Sequence, residues 1–226
     1  MDLMTKLAIG LGIMMGVVWV FGRNQPRGET KAAEPAPPSD PETLEEKLER
    51  LASFGWTLAP GITVDDLLEQ YARPDLEAPG YELLLVTLGG ETDDGRWQPH
   101  CEQVWHFDTE CIEGPGSYVR IAERVAGMVG PELVLTDVRD HVDDDGEEAS
   151  LSFTCGGQSH TWPLTFDHDW VDPKVFTRFV KLVKTQAPDR LLLYFDLGGQ
   201  DCLLACADRN RLSDLEALIP GIEPLA

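Results

Sequence analysis

Leu151 to Leu164 reads LSFTCGGQSHTWPL, and its pattern turns over at the centre. Leu151, Phe153 and Cys155 alternate with Ser152 and Thr154. After Gly156-Gly157, His160, Trp162, Leu164 and Phe166 alternate with Thr161 and Thr165. A period of two puts successive side chains on opposite faces of a strand, and paired glycines supply the positive φ of a tight turn. The stretch predicts an antiparallel hairpin with one buried face.

Upstream, Asp143-Asp144-Asp145-Gly146 predicts a second hairpin turn, entered by a strand over Leu133 to His141. Downstream, Leu191 to Leu197 and Cys202 to Ala207 predict two strands around Gly198-Gly199. Helical spacing joins Tyr118, Ile121, Ala122, Val125 and Val129, between Pro115-Gly116 and Gly130-Pro131. Asp172-Pro173 predicts the start of another helix running through Thr185, and Leu212, Leu215 and Leu218 mark a last one.

On the N-terminal side, Asp40-Pro41 reads as a cap and first-turn proline before Leu44, Leu48, Leu51 and Phe54, with Gly55 closing the helix. Thr63-Val64-Asp65-Asp66 reads as a capping box for a helix through Tyr71, stopped by Pro74. Tyr81 to Leu88 is a continuous apolar run, read as a central strand buried on both faces. Asp93-Asp94-Gly95 is read as a turn, with strand continuing over Trp97 to Phe107. Hairpins and helices in this order predict an α+β fold, a mainly antiparallel sheet with helices packed on it.

The chain has 226 residues, 40 acidic and 18 basic, for a formal net charge of -22. A basic face is what releases counterions from a phosphate backbone, so this balance excludes broad nucleic-acid binding. Arginine outnumbers lysine 12 to 6, a bias that suits a GC-rich bacterial genome.

Leu7 to Gly22 holds sixteen residues with no charge and no polar side chain. As a helix it spans about 24 Å, and Leu3 to Lys6 can lengthen it toward the hydrocarbon thickness of about 30 Å. No small-residue cleavage site follows, so the run reads as a retained single-pass anchor over residues 1–22. Lys6 lies on one side; Arg23, Arg27 and Lys31 lie on the other, which places the C-terminal side in the cytoplasm. Residues 23–41 carry Pro26, Pro35, Pro37, Pro38 and Pro41 and read as a Pro-rich linker. Residues 42–226 then form the acidic domain.

Several clusters invite chemistry. An EF-hand loop whose glycine is Gly146 would need an oxygen ligand at His141 and glutamate at Ser152, so the acidic turn is no such loop. Cys202 and Cys206, four apart on a strand, stand about 13 Å apart, too far to share an ion or a bridge. The five cysteines and the histidines fit no zinc spacing, and no metal or cofactor is assigned. Asp167-His168-Asp169 could orient an imidazole as a general acid or base, and Gly198-Gly199 with Asp201 could frame a pocket beside it. No nucleophile elbow, phosphate loop, dinucleotide fingerprint or zinc-protease motif accompanies them. Lys174, Arg178, Lys181 and Lys184 share one helix face. They read first as a solvated face paired with the domain's own carboxylates, and second as a contact with an anionic bilayer.

Together these features favour a non-enzymatic, membrane-tethered acidic domain that binds a basic partner protein. The binding candidates are Asp93, Asp94, Asp143, Asp144 and Asp145. Small acidic α+β domains of this kind occur among bacterial immunity proteins, an analogy of class and composition only. The alternative is an enzyme or small-ligand-binding domain built on Asp167, His168 and Asp169.

Overall fold

Along Asp201–Asp208 and Arg190–Asp196 the apolar residues run without alternation, which suits strands covered on both faces. In the computed structural model, which describes residues 42–92 and 97–226, these two strands are the centre of a four-stranded antiparallel sheet. We label β1 Val104–Asp108, β5 Arg190–Asp196, β6 Asp201–Asp208 and β7 Glu223–Pro224; the order is β1-β6-β5-β7. A second antiparallel sheet has the order β2-β3-β4, from β2 Leu135–Asp143, β3 Glu148–Cys155 and β4 Gln158–Leu164. The fold is thus α+β with two antiparallel sheets rather than one, and both glycine-turned strand pairs form as expected.

The helices are α1 Leu44–Ala52, α2 Val64–Leu67, α3 Arg73–Leu76, α4 Glu82–Gly89, α5 Ser117–Val129, α6 Lys174–Gln186 and α7 Leu212–Leu218. Two cores show how they are layered. One face of the large sheet, with Leu193, Leu203 and Ala205, packs on Leu51 of α1, Leu85 and Leu88 of α4, and Leu215 of α7. The other face, with Phe107, Leu192, Leu204 and Cys206, packs on α5 and α6 through Ile121, Val125, Phe176 and Phe179. The same two helices bury Leu151, Phe153 and Cys155 of β3, so they lie between the two sheets. Each fully buried Leu or Phe contributes about 1.5–3 kcal/mol of apolar transfer.

Several local expectations change. The cap of α1 is Thr43, in a reciprocal capping box with Glu46, in place of Asp40-Pro41. The Thr63-Asp66 capping box forms, but α2 ends at Leu67. Pro74 lies in the first turn of α3, where its missing N–H costs nothing, so it opens a helix instead of stopping one. Within Trp97 to Phe107 only the last residues are strand.

The largest correction is Tyr81 to Leu88, which is the helix α4 and not a central strand. A short, mostly buried apolar run carries no period that separates helix from strand. Its composition leans helical, with four leucines and one β-branched aliphatic residue, Val86. Gly89 allows the close approach to β1: a Cβ there would collide with the backbone of Trp105 and His106.

Buried cations bind carbonyls that would otherwise be unpaired. Lys47 donates to the carbonyls of Leu76 (3.0 Å), Ala78 and Gly80 (2.7 Å), tying α1 to the chain after α3. Arg124 of α5 donates to the carbonyls of Cys101, Glu102 and Val104 at 2.9, 2.8 and 2.6 Å, holding the entry of β1. Among the described residues no helix is long and apolar enough to cross a membrane. The Leu7 to Gly22 run, the linker, Asp93 and Asp94 lie outside those residues.

Candidate functional site

The acidic turn caps a regular hairpin. Asp143 of β2 opposes Glu148 of β3 in register, and Asp144, Asp145, Gly146 and Glu147 fill the turn between them. A Cβ on Gly146 would fall 2.6 Å from Asp143 Oδ2, so the Asp143 carboxylate folds over Gly146 and would swing aside for a larger residue. Asp144, Asp145, Glu147 and Glu148 are exposed and Asp143 is half-buried. Among the described residues no Lys or Arg forms an ion pair with Asp143, Asp144 or Asp145. The turn is therefore a projecting knot of uncompensated negative charge on a rigid hairpin.

Asp140, three residues earlier, does something different. Its carboxylate accepts from the backbone N–H groups of Gly116 (2.8 Å), Tyr118 (2.9 Å) and Val119 (3.3 Å). It caps α5 from a neighbouring strand, where Gly116 itself has no side chain to do so. A register shift between Thr136 and Arg139, with Asp137 at φ +53°, bends β2 just before this residue.

Asp167, His168 and Asp169 lie in the turn after β4, with His168 at φ +54°. The His168 ring stands edge-on to Phe166 at 5.6 Å between centroids. No hydrogen bond or ion pair joins it to either aspartate, so the geometry of a charge-oriented base is missing. The polypeptide here serves the fold: Ile112 N–H donates to the Asp169 carbonyl at 2.8 Å. Asp172 is buried and accepts from the N–H groups of Thr165 (2.6 Å) and Lys174 (2.9 Å). Asp201 faces His106 instead, its Oδ1 3.6 Å from Nε2.

Sequence reasoning missed a cleft of about 590 Å³ between β1 and the start of α5. Trp105, Phe107 and Ile121 are among its apolar lining residues, and Asp108, Glu110, Glu113 and Arg120 supply its charges. Arg120 is already engaged by Glu91 at 2.9 Å. Its lining carries three carboxylates against one guanidinium that Glu91 already engages. The α5 N-terminus offers no anion site, because Asp140 occupies it. Cys111 also lines the cleft; burial, aided by the Asp108 charge, pushes its thiol up to about 12, so it is no thiolate nucleophile. The available signal was Asp108, Glu110 and Glu113 clustered before Gly114-Pro115-Gly116, a strand end running into a helix start. His168, Asp169 and Asp201 are not among the residues lining this cleft.

The remaining cysteines are buried on strands or just before β1, and all five are unpaired thiols. Among the described residues no group of three or more His, Cys, Asp or Glu side chains is placed to hold a metal ion. Compared with known protein families, curated proteins and solved structures, the chain matches none.

Proposed function

We propose that the chain is a non-enzymatic, membrane-tethered acidic domain that binds a basic partner protein, in the manner of an immunity-type inhibitor. The observation that carries the reading is the Asp143–Asp145 turn, in which Asp144 and Asp145 are exposed and none of the three carboxylates forms an ion pair with a described Lys or Arg. A rigid hairpin tip of one sign raises the local potential and steers an oppositely charged partner into encounter. The Leu7 to Gly22 run would hold the domain at a membrane, with the acidic domain on the cytoplasmic side.

A second reading, a small cationic ligand, draws on the cleft lined by Asp108, Glu110 and Glu113. It does not draw on Asp167, His168 and Asp169, whose side chains do not engage one another.

The test is capture of partners from the source cell with the full chain, followed by association kinetics at several salt concentrations. Under the leading reading, Asp143→Asn/Asp144→Asn/Asp145→Asn slows association and Asp108→Asn/Glu113→Gln leaves it unchanged. Salt should slow the wild type steeply, because the steering field is screened beyond about 8 Å at physiological ionic strength. A partner indifferent to both salt and the triple variant removes the hairpin from the interface. Sensitivity to the cleft variant alone moves the partner interface from the hairpin to the cleft, and direct titration of the chain with a small organic cation, abolished by Asp108→Asn/Glu113→Gln, is what supports the second reading.

A further inference from the structure

The lysines are unevenly placed. The sequence has six, of which Lys47, Lys174, Lys181 and Lys184 fall in the described residues. Lys47 is buried and spent on carbonyls. The other three are exposed, and all lie on α6. Five arginines elsewhere are paired, Arg50 with Glu42, Arg73 with Glu45, Arg120 with Glu91, Arg190 with Asp208 and Arg211 with Asp214, while Arg139 on β2 is a further exposed cation with no ion pair among the described residues. No described carboxylate forms an ion pair with Lys174, Lys181 or Lys184. The expected pairing of this face with the domain's own acids therefore does not occur. Arg178, the fourth cation of the stripe, turns aside and stacks 5.8 Å from the Trp162 ring centre.

The stripe also has a direction. Lys174 Nζ reaches Thr165 Oγ1, just past β4, at 3.3 Å. At the other end, Gln186 lies against Gly156, where an added Cβ would come 3.0 Å from its Oε1. So α6 runs the length of the small sheet, from the end where Leu164 pairs with Ala149 to the Gly156-Gly157 turn. The acidic turn between β2 and β3 is at the first end, and Lys181 and Lys184 are toward the second. From Lys174 the helix rises about 10 Å to Lys181 and about 15 Å to Lys184, between one and two screening lengths at physiological salt. Near the second end, Asp208 and Glu132 are both faced by Arg190, while Asp189 is exposed and opposes the lysines' charge.

We propose that the lysine face of α6 docks on an anionic lipid bilayer, with Lys181 and Lys184 nearest the lipid. The inference rests on the tethered reading above. The nineteen residues 23–41 can separate the domain from the anchor by at most about 65 Å, so α6 is never far from lipid. With the anchor supplying proximity, three weak contacts are enough to select an orientation. The residue type fits as well. Lysine is a mobile point charge suited to fluid headgroups, whereas arginine suits fixed bidentate partners, and this fold uses arginine for its fixed pairs.

The test reconstitutes the full chain on phosphatidylcholine vesicles, with or without phosphatidylglycerol. A water-soluble acylating reagent is applied, and modification at each lysine is read by mass spectrometry. On anionic vesicles Lys181 and Lys184 should react about five-fold more slowly than on neutral ones, and high salt should abolish the difference. Lys181→Glu/Lys184→Glu should remove any protection of Lys174. A chain that floats with both vesicle types and labels equally on both overturns the docking and leaves the tether standing. A chain that does not float with neutral vesicles overturns the tether. Docking is then judged by flotation with anionic vesicles, which upholds it if the double variant abolishes flotation and overturns it if the wild type stays in solution.

Discussion

Trp56 donates its indole N–H to the carbonyl of Cys206 at 2.8 Å, joining residues 150 apart in the chain. The indole is 1% exposed and Cys206 lies on β6, between β1 and β5. This bond pins the turn after α1 to the middle of the large sheet. In Trp56→Phe the carbonyl stays buried without this donor, so the variant should lose about 1–3 kcal/mol of stability in urea melts. An unchanged midpoint would mean that water or a neighbouring N–H replaces the indole.

Asp140 should matter more for stability than the acidic turn only three residues away. Asp140→Ala strips α5 of the acceptor for three N–H groups and should cost about 1–2 kcal/mol. Asp140→Asn keeps one oxygen and should cost less. Equal losses in thermal or urea melts would show that charge, and not hydrogen bonding, carries the cap.

The hairpin variant Asp143→Asn/Asp144→Asn/Asp145→Asn should fold as well as wild type, within about 0.5 kcal/mol, or slightly better. Like charges crowded in one turn repel, and no described cation pairs with them. A clear loss of stability would reassign these carboxylates to the fold.

Alkali should unfold the protein early. Burial raises all five thiols; Cys101 is pushed up to about 11 and Cys111 to about 12. An unfolded thiol ionises near pH 8.5, about where the folded ones still hold their protons. Above that pH the folded state binds more protons than the unfolded state, so stability must fall as pH rises. It is fully present below about pH 8.5, and the deeply buried Cys101, Cys202 and Cys206 each remove up to about 1.4 kcal/mol per pH unit until the folded value is passed, while the less deeply buried Cys111 and Cys155 remove less. Urea midpoints measured between about pH 7.5 and about pH 10 should decline, and Cys111→Ala should shallow the slope. Flat midpoints would mean that the thiols are hydrated. Titration of the denatured, unreduced chain should find five thiols.

How far the chain could be read varies with distance along it. The hairpins around Gly156-Gly157 and Gly198-Gly199, and the helices α5, α6 and α7, announce themselves through period and punctuation within a dozen residues. The acidic turn was visible because Asp and Gly in series have few other uses. The cleft was not visible, since Asp108, Glu110 and Glu113 come to line one cavity only when α5 is laid beside β1. The cap of α5 is equally remote: Asp140 is 24 residues from Gly116.

The sequence by itself determined the alternation, the turns, the charge and the apolar N-terminal run, because each is written in neighbouring residues. Only the tertiary structure decided that Tyr81 to Leu88 is a helix, that the strands divide into two sheets, and that α5 and α6 lie between them. Those outcomes turn on which apolar faces meet. Leu85 and Leu88 are buried against β1, β6 and α1 in either secondary structure's terms, and the contact, not the local pattern, selects the helix. The lysines of α6 follow the same rule. Their spacing was legible, but their lack of acidic partners depends on where the other strands carry their carboxylates.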